Sequence, residues 1–400
     1  VQTFTATQYL KIDIASSFGL SKLPWRDRLT WFDMNEAKLP SLVQQAKEPA
    51  LFYAGMMAWN AAKKGDPIGY MISLDATSSG LQILAALTGD RLAAKLCNVV
   101  DTGKREDAYT NIYQAMLKKI DDTMKIKAED VKQAIMTAFY NSTAVPKQVF
   151  GEGALLDIFY QTVIEKAPGP WELNEAMLKI WNPSASCHSW VLPDNFHVHV
   201  KVMDTDKEIV HFQNEPFDVF TKVNRPMREG RSLGANTVHS IDGMIVKELT
   251  RRCDYDPAKI EDIKKHTEGS TILRKGTKTK DDEMVVTLWD HFEKSGFLSA
   301  RILDHLNPGN MGHCRSHDIR ELILSLPAKP FKIVSIHDCF RVHPNYGNDL
   351  RKQYNIQLMM IAKSNLLSYI VAQLLGKKIQ INKLDRNLWK DIINADYALS

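Results

Sequence analysis

Met71-Ile72-Ser73-Leu74-Asp75-Ala76-Thr77-Ser78-Ser79-Gly80-Leu81-Gln82 is the stretch whose reading decides the fold. Tyr70, Ile72 and Leu74 alternate with their neighbours as in a short buried strand. The strand ends on a carboxylate, Asp75. Small polar residues then turn the chain, and residues 81–87 form a helix that stops at Gly89-Asp90. A carboxylate at a strand's C-terminal end, with open backbone behind it, can hold a divalent cation while a phosphate-bearing ligand approaches. Most aspartates at strand ends are turn formers, so this stretch does not decide alone.

A second stretch completes it. Phe331-Lys332-Ile333-Val334-Ser335-Ile336-His337-Asp338-Cys339-Phe340-Arg341-Val342-His343-Pro344 is predicted as strand, tight turn and strand, with His337-Asp338 at the tip. Two distant aspartates, each ending an apolar strand, suit a two-metal phosphoryl-transfer site. Such a site needs both carboxylates on adjacent strands of one sheet, holding ions roughly 3.5–4 Å apart.

The whole chain sets the bounds. Four hundred residues exceed one ordinary domain and predict two or three lobes. Hydrophobic residues at 44% and charged residues at 24% are globular values, which excludes disordered and collagen-like classes. No apolar run approaches the ~20 residues of a membrane span, so no membrane partner is predicted. Residues 366–375 are predicted as a core helix. Val1-Gln2-Thr3-Phe4 carries no basic region leading into an apolar core, so no secretory signal is predicted, and its lack of Met leaves a trimmed start open. Cys97, Cys187, Cys253, Cys314 and Cys339 stand singly, as expected of reduced thiols. A net charge of +4 permits a nucleic-acid partner without demanding one.

In chain order, residues 1–65 are predicted helical, with a cap at Ser21, an early Pro24 and apolar Leu29, Phe32 and Met34. Helices follow over residues 50–64 and 105–124. Residues 125–140 form a third informative segment: acidic Glu129 and Asp130 suit a helix start, and no breaker follows. Lys132, Met136 and Tyr140 project from one broad side, so a lysine and a tyrosine there can meet a triphosphate and a sugar ring. The bland alternative is a snorkelling Lys and a half-buried Tyr. His197 and His199 share one strand face, which is predicted to be solvated rather than zinc-binding. Residues 222–231 form a basic loop suited to phosphate contact. Ala235 to Gly243 opens a helix through Thr250. Within the highly charged residues 252–328, helices are predicted over 260–266 and 285–306, with a basic turn over 274–280; the spacing of His313, Cys314 and His317 fits no standard metal site. Residues 354–375 are predicted as one amphipathic helix.

Four of these motifs, in this order, resemble the single-subunit RNA polymerases of bacteriophages and mitochondria. Residues 75–82 look like that family's motif A. Lys132 through Met136-Thr137-Ala138-Phe139-Tyr140 looks like motif B, Val238-His239-Ser240-Ile241-Asp242-Gly243 like its HSxDG element, and Ile336-His337-Asp338-Cys339-Phe340 like motif C. Weaker matches are Tyr9-Leu10-Lys11-Ile12, Leu23-Pro24-Trp25-Arg26-Asp27-Arg28, Trp190-Val191-Leu192-Pro193-Asp194 and the tail from Asn387, which resembles a C-terminal foot. The resemblance spans nearly the whole chain but only the family's C-terminal half.

It implies an α+β, right-hand polymerase: a palm of antiparallel sheet with helices, mostly helical fingers, and no N-terminal domain or thumb. The boundaries expected are palm at 1–107, fingers at 108–225, the palm-side HSxDG element at 226–251, an inserted helical module at 252–328, and palm with foot at 329–400. It also implies template-directed transfer of NTPs to an RNA 3′-OH on DNA. Asp75, Asp338 and the carbonyl of Ala76 would hold two Mg²⁺ ions. Lys132, Tyr140 and His239 would act on triphosphate, ribose and product end, with Lys11 and Lys127 assisting. The family's basic residue falls on Ala128, one position after Lys127. Tyr113 would touch the template.

The departures matter as well. The family's DxxGR element is absent, Asn141 stands where a glycine usually follows the tyrosine, and the interval from Tyr140 to His239 is short, which puts a promoter-reading hairpin in doubt. A half-polymerase needs a second polypeptide, so the nearest resemblance is to the larger, catalytic subunit of the family's heterodimeric phage enzymes. The partners expected are DNA template, RNA product, NTPs, that second subunit and an accessory DNA-binding factor for initiation, in the cytoplasm of an infected bacterial host. Related DNA polymerases carry a glutamate where Gly80 stands, and Gly80 leaves room for a 2′-hydroxyl. A silent structural subunit would have had no reason to keep both aspartates, Lys132 and Tyr140.

Overall fold

The computed structural model describes residues 1–269, 276 and 278–400. Of the predicted turn at 274–280, residues 274, 275 and 277 fall outside them. Helices and three small antiparallel sheets alternate along the chain. The central sheet has the order β1 (Ile72–Asp75), β7 (Cys339–Val342), β6 (Val334–Ile336), so β1 pairs with a strand more than 250 residues away. Ile72 and Leu74 point into the core, and Phe340 and Val342 meet them from β7. The alternation in the opening stretch is thus a one-sided strand.

Around this sheet lies one large hydrophobic core, fed by the helices Ala6–Ala15, Pro49–Lys63, Ser79–Thr88, Ser232–Cys253 and Gly347–Lys363. Gln82 is fully buried at its centre. Its amide nitrogen donates to the carbonyls of Cys97 (3.0 Å) and Ala398 (2.9 Å), and its oxygen accepts from the Tyr354 hydroxyl (2.7 Å). A buried side-chain amide with every partner supplied fixes its neighbours in place. The tail is stitched to the same point: Asp75 and Ser400 exchange both backbone hydrogen bonds, and Thr77 donates to Ala398. The buried ion pair Arg351–Asp396 (2.9 Å) holds the tail to the helix Gly347–Lys363, and Tyr397 stacked on Trp25 holds it to the N-terminal helix Trp25–Asn35.

A second hydrophobic cluster, from Ile263 to Ile323, lies wholly within residues 252–328. Glu248 clasps it to the main core by accepting from the Ala300 amide (2.8 Å) and from Ser299, while its other neighbour is Arg251.

Several elements differ from expectation. The helix predicted over 105–124 is shorter, Ala108–Leu117, because Asp107 caps its first turn. Ser21 ends the preceding helical segment Ser16–Leu20 instead of starting the next; Pro24 precedes the helix Trp25–Asn35, and Met34 is exposed. The helix expected over 285–306 stops at Ser295, where Gly296 adopts a left-handed conformation, and resumes briefly at Ile302–His305. The helix expected over 354–375 is two, Gly347–Lys363 and Leu366–Leu375, bent by 55° where Ser364 becomes extended. Among the described residues no single helix is long and apolar enough to cross a membrane. Two hairpins complete the fold: β2 (Cys187–Val191) with β3 (His197–Lys201), and β4 (Met203–Phe212) with β5 (Glu215–Asn224). The second was not foreseen, and it lies inside the interval from Tyr140 to His239 where a hairpin had been doubted.

Candidate active site

The β6–β7 turn is a tight one. His337 takes a φ of 55°, a left-handed conformation unusual for a residue with a side chain. This tight tip sets Asp338 immediately beside the end of β1, since Asp75 pairs with Cys339 and the Ala76 amide donates to the Asp338 carbonyl (3.1 Å). The protein packed around Asp75, and then the charge of Asp338, push its carboxyl up to about 6. Burial and Asp338 do the same to Asp242, also to about 6, against an opposing effect of His337. The charge of Asp338 thus acts on both Asp75 and Asp242.

A cavity of about 240 Å³ opens there. Its floor is the turn 76–81, Asp338 stands at one side, and Tyr109, Met136 and Tyr140 form the opposite wall. Tyr140 comes from the end of the helix Ala128–Ala138, and its ring lies 5.2 Å from that of His239. Burial, then the Asp242 charge, push the Tyr140 hydroxyl up to about 12, so it remains a neutral donor. Gly80 faces that hydroxyl so closely that any side chain at 80 would collide with it. Asn141, in place of the usual glycine, takes a φ of 65° and so keeps the backbone shape a glycine would give; its amide donates to the Asn174 carbonyl (3.2 Å).

The remaining candidates are placed less uniformly. Lys132 lies one turn before Met136 with its ammonium 5.6 Å from the Tyr109 ring centre, beside the cavity. Lys127 is exposed at the N-cap of the same helix. Lys11 is paired with Asp33 (2.7 Å) and lies over the Phe32 and Trp59 rings. Tyr113 is half-buried one turn beyond Tyr109, and it is Tyr109 that lines the cavity. Tyr109, Asp242 and Arg105 carry no role in the sequence reading. Arg105 is the cation nearest in effect to Asp75 and also donates to the Ser400 hydroxyl (3.2 Å). In the basic loop, Arg225 is engaged by Asp204 and Asp206, and Arg231 by the Asn141 carbonyl.

Among the described residues no group of three or more His, Cys, Asp or Glu side chains forms a metal cluster. What the site offers a cation is a carboxylate pair with a backbone carbonyl close by. Two like charges crowded until one resists ionising is the donor chemistry that a hard divalent ion relieves.

Residues 3–162 match the family model for DNA-dependent RNA polymerase. A DNA-directed RNA polymerase of Pseudomonas phage phiKMV is 22% identical over 319 residues, covering 64% of this chain and 39% of its own length. A probable DNA-directed RNA polymerase of Gelasinospora is 24% identical over 376 residues, 88% of this chain and 41% of its own. A probable DNA-directed RNA polymerase of Neurospora crassa reaches 30% over a shorter stretch of 156 residues. The chain thus spans about two-fifths of the length of the first two relatives. The family-model match over residues 3–162 contains Asp75, Gly80, Lys132 and Tyr140 but ends before His239 and Asp338.

Proposed function

We propose that this chain is the catalytic part of a DNA-dependent RNA polymerase, adding NTPs to an RNA 3′-OH on a DNA template. The observation that carries the reading is the approach of the strand end bearing Asp75 to Asp338, which lines a cavity shared with Tyr140 and the side-chain-free Gly80. The family match over residues 3–162 and the names of the relatives support it.

In this reading the central sheet is the palm and the helix Ala128–Ala138 belongs to the fingers. Asp75, Asp338 and the Ala76 carbonyl would hold two Mg²⁺ ions, which when bound supply activation of the 3′-OH and charge neutralisation at the triphosphate. Lys132 attracts the triphosphate and places a proton near the leaving pyrophosphate. Tyr140, whose hydroxyl occupies the space against Gly80, would position the ribose by meeting its 2′-hydroxyl, and His239 supports the Tyr140 ring while reaching toward the product end. Lys11 joins only by leaving Asp33, and Lys127 and Tyr113 sit at the periphery.

A second polypeptide supplies the N-terminal half and thumb, as in the heterodimeric RNA polymerase II of phage N-four, with an accessory DNA-binding factor at initiation, in the cytoplasm of an infected bacterial host. The test is extension of a labelled RNA primer on a DNA template by the chain with its co-purified partner, in Mg²⁺. Extension with NTPs in preference to dNTPs is expected. Extension with neither, or equally with both, removes the reading.

A further inference from the structure

Asp13 is an acidic side chain beside the catalytic sheet that the proposed chemistry does not use. It belongs to the helix Ala6–Ala15 and is only 3% exposed. Its two oxygens are divided between two points on one stretch of chain: Oδ1 accepts from the Ser73 amide (2.8 Å) and Oδ2 from the Tyr70 hydroxyl (2.5 Å). β1 is four residues long and stands at the edge of its sheet, beside β7. An edge strand turns alternate backbone amides away from its neighbour, and these need partners of another kind. Along this edge the Ser73 amide goes to Asp13 and the Asp75 amide to Ser400. Asp13 thus stands in for a neighbouring strand, two residues from Asp75.

β7 closes the circuit. Ile72 and Leu74 turn into the core, so Ser73 and Asp75 share the other face of β1. Ser73 lies opposite Arg341 and Asp75 opposite Cys339, which puts Arg341 on that same face. The Arg341 Nε donates to the Ser73 Oγ (2.7 Å), and its guanidinium lies 6.0 Å from the Tyr70 ring centre. Asp13, Tyr70, Ser73 and Arg341 therefore tie one helix to β1 and to the strand that follows Asp338. None of the four lines the cavity, so they act on it only through the strands. Such slack matters at a reacting centre, where a misplacement of about 1 Å can cost roughly a hundredfold in rate. Ligands are held that closely by buried hydrogen bonds behind them.

We propose that Asp13 and Arg341 are positioning residues for the metal site, fixing β1 against β7 so that the Asp75 and Asp338 carboxylates stay within reach of shared ions. This rests on the two-metal reading and deepens it. The test titrates Mn²⁺, in place of Mg²⁺, into the chain with its co-purified partner and counts the free ion by electron paramagnetic resonance. Mn²⁺ binding is expected to weaken at least tenfold in Asp13→Ala and at least fivefold in Arg341→Met. Asp13→Asn is expected to stay within twofold of the parent, because an amide oxygen still accepts from Ser73 and its nitrogen donates to the Tyr70 oxygen. Leu288→Ala, buried in the second hydrophobic cluster, serves as a variant destabilised elsewhere and is expected to bind Mn²⁺ as the parent does. The Mg²⁺ concentration for half-maximal primer extension is expected to rise in step with the Mn²⁺ dissociation constant. Arg341→Met decides the matter by itself if Asp13→Ala does not fold. A lowered melting temperature with unchanged Mn²⁺ affinity in Arg341→Met overturns the proposal, as does equal weakening in Asp13→Asn or in Leu288→Ala. A parent chain that binds no Mn²⁺ removable by Asp338→Ala overturns the metal reading itself, and the positioning role with it.

Discussion

A side-chain carbon on Gly80 would lie 2.9 Å from Cζ of Tyr140 and closer still to its hydroxyl. The two residues come from different helices, Ser79–Thr88 and the end of Ala128–Ala138, and between them set the width of the cavity. Gly80→Ala is expected to push the phenol aside and lower kcat/KM for NTPs at least tenfold with the melting temperature unchanged. If the proposed role of Tyr140 holds, Tyr140→Phe is expected to raise dNTP use relative to NTP use, because it removes the hydroxyl that faces Gly80. Steady-state kinetics with matched NTP and dNTP pairs check both; an unaltered ratio in Tyr140→Phe takes the tyrosine out of sugar choice.

Asp338→Ala keeps the turn, since the Ala76 amide bonds to the backbone carbonyl and not to the carboxylate. Nucleotide addition is expected to fall by about a thousandfold or more, as when an essential metal ligand is lost, with circular dichroism unchanged. Normal addition by this variant would end the metal assignment.

Asp75 and Asp242 are both raised to about 6 in the fold, against about 3.9 in an unfolded chain. Each binds a proton more tightly when folded. Their contribution to stability is therefore complete below about pH 4 and is lost as pH climbs to about 6. Melting curves without divalent cation are expected to fall across that window, and Asp75→Asn with Asp242→Asn to flatten the fall. Added Mg²⁺ is expected to raise the melting temperature above pH 6 and to do little below pH 5, where protons compete for the same oxygens.

Asp13 is buried behind β1, accepting from the Tyr70 hydroxyl and from the Ser73 amide (2.8 Å) two residues before Asp75. Asp13→Ala strands both donors and is expected to cost on the order of 3 kcal/mol, read by urea unfolding. A loss below about 0.5 kcal/mol would mean that water replaces the carboxylate.

What the sequence showed and what it hid follow physical lines. The strand ending in Asp75, the turn bearing Asp338 and the helix carrying Lys132 to Tyr140 were legible because each pairs a one-sided apolar pattern with a local stop signal. The β4–β5 hairpin was not legible, because both its faces meet solvent and its apolar residues follow no alternation. Choosing Tyr109 over Tyr113 required coordinates, since residues four apart share a helix face and spacing cannot say which turn meets a cavity. The break at Ser364 was invisible for another reason: the Asn365 amide leaves the helix to donate to the Ser295 carbonyl (2.7 Å), a tertiary contact. Lys11 likewise looked available only because Asp33 is not its neighbour in sequence.

The exchange of hydrogen bonds between Asp75 and Ser400 has a temporal side. During synthesis, at roughly 5–20 residues per second, the strand bearing Asp75 leaves the ribosome long before the residues that border it. It waits first for β7 and then for residue 400. Until residues 339–400 have been made, the end of β1 therefore lacks the backbone partners that border it on both sides.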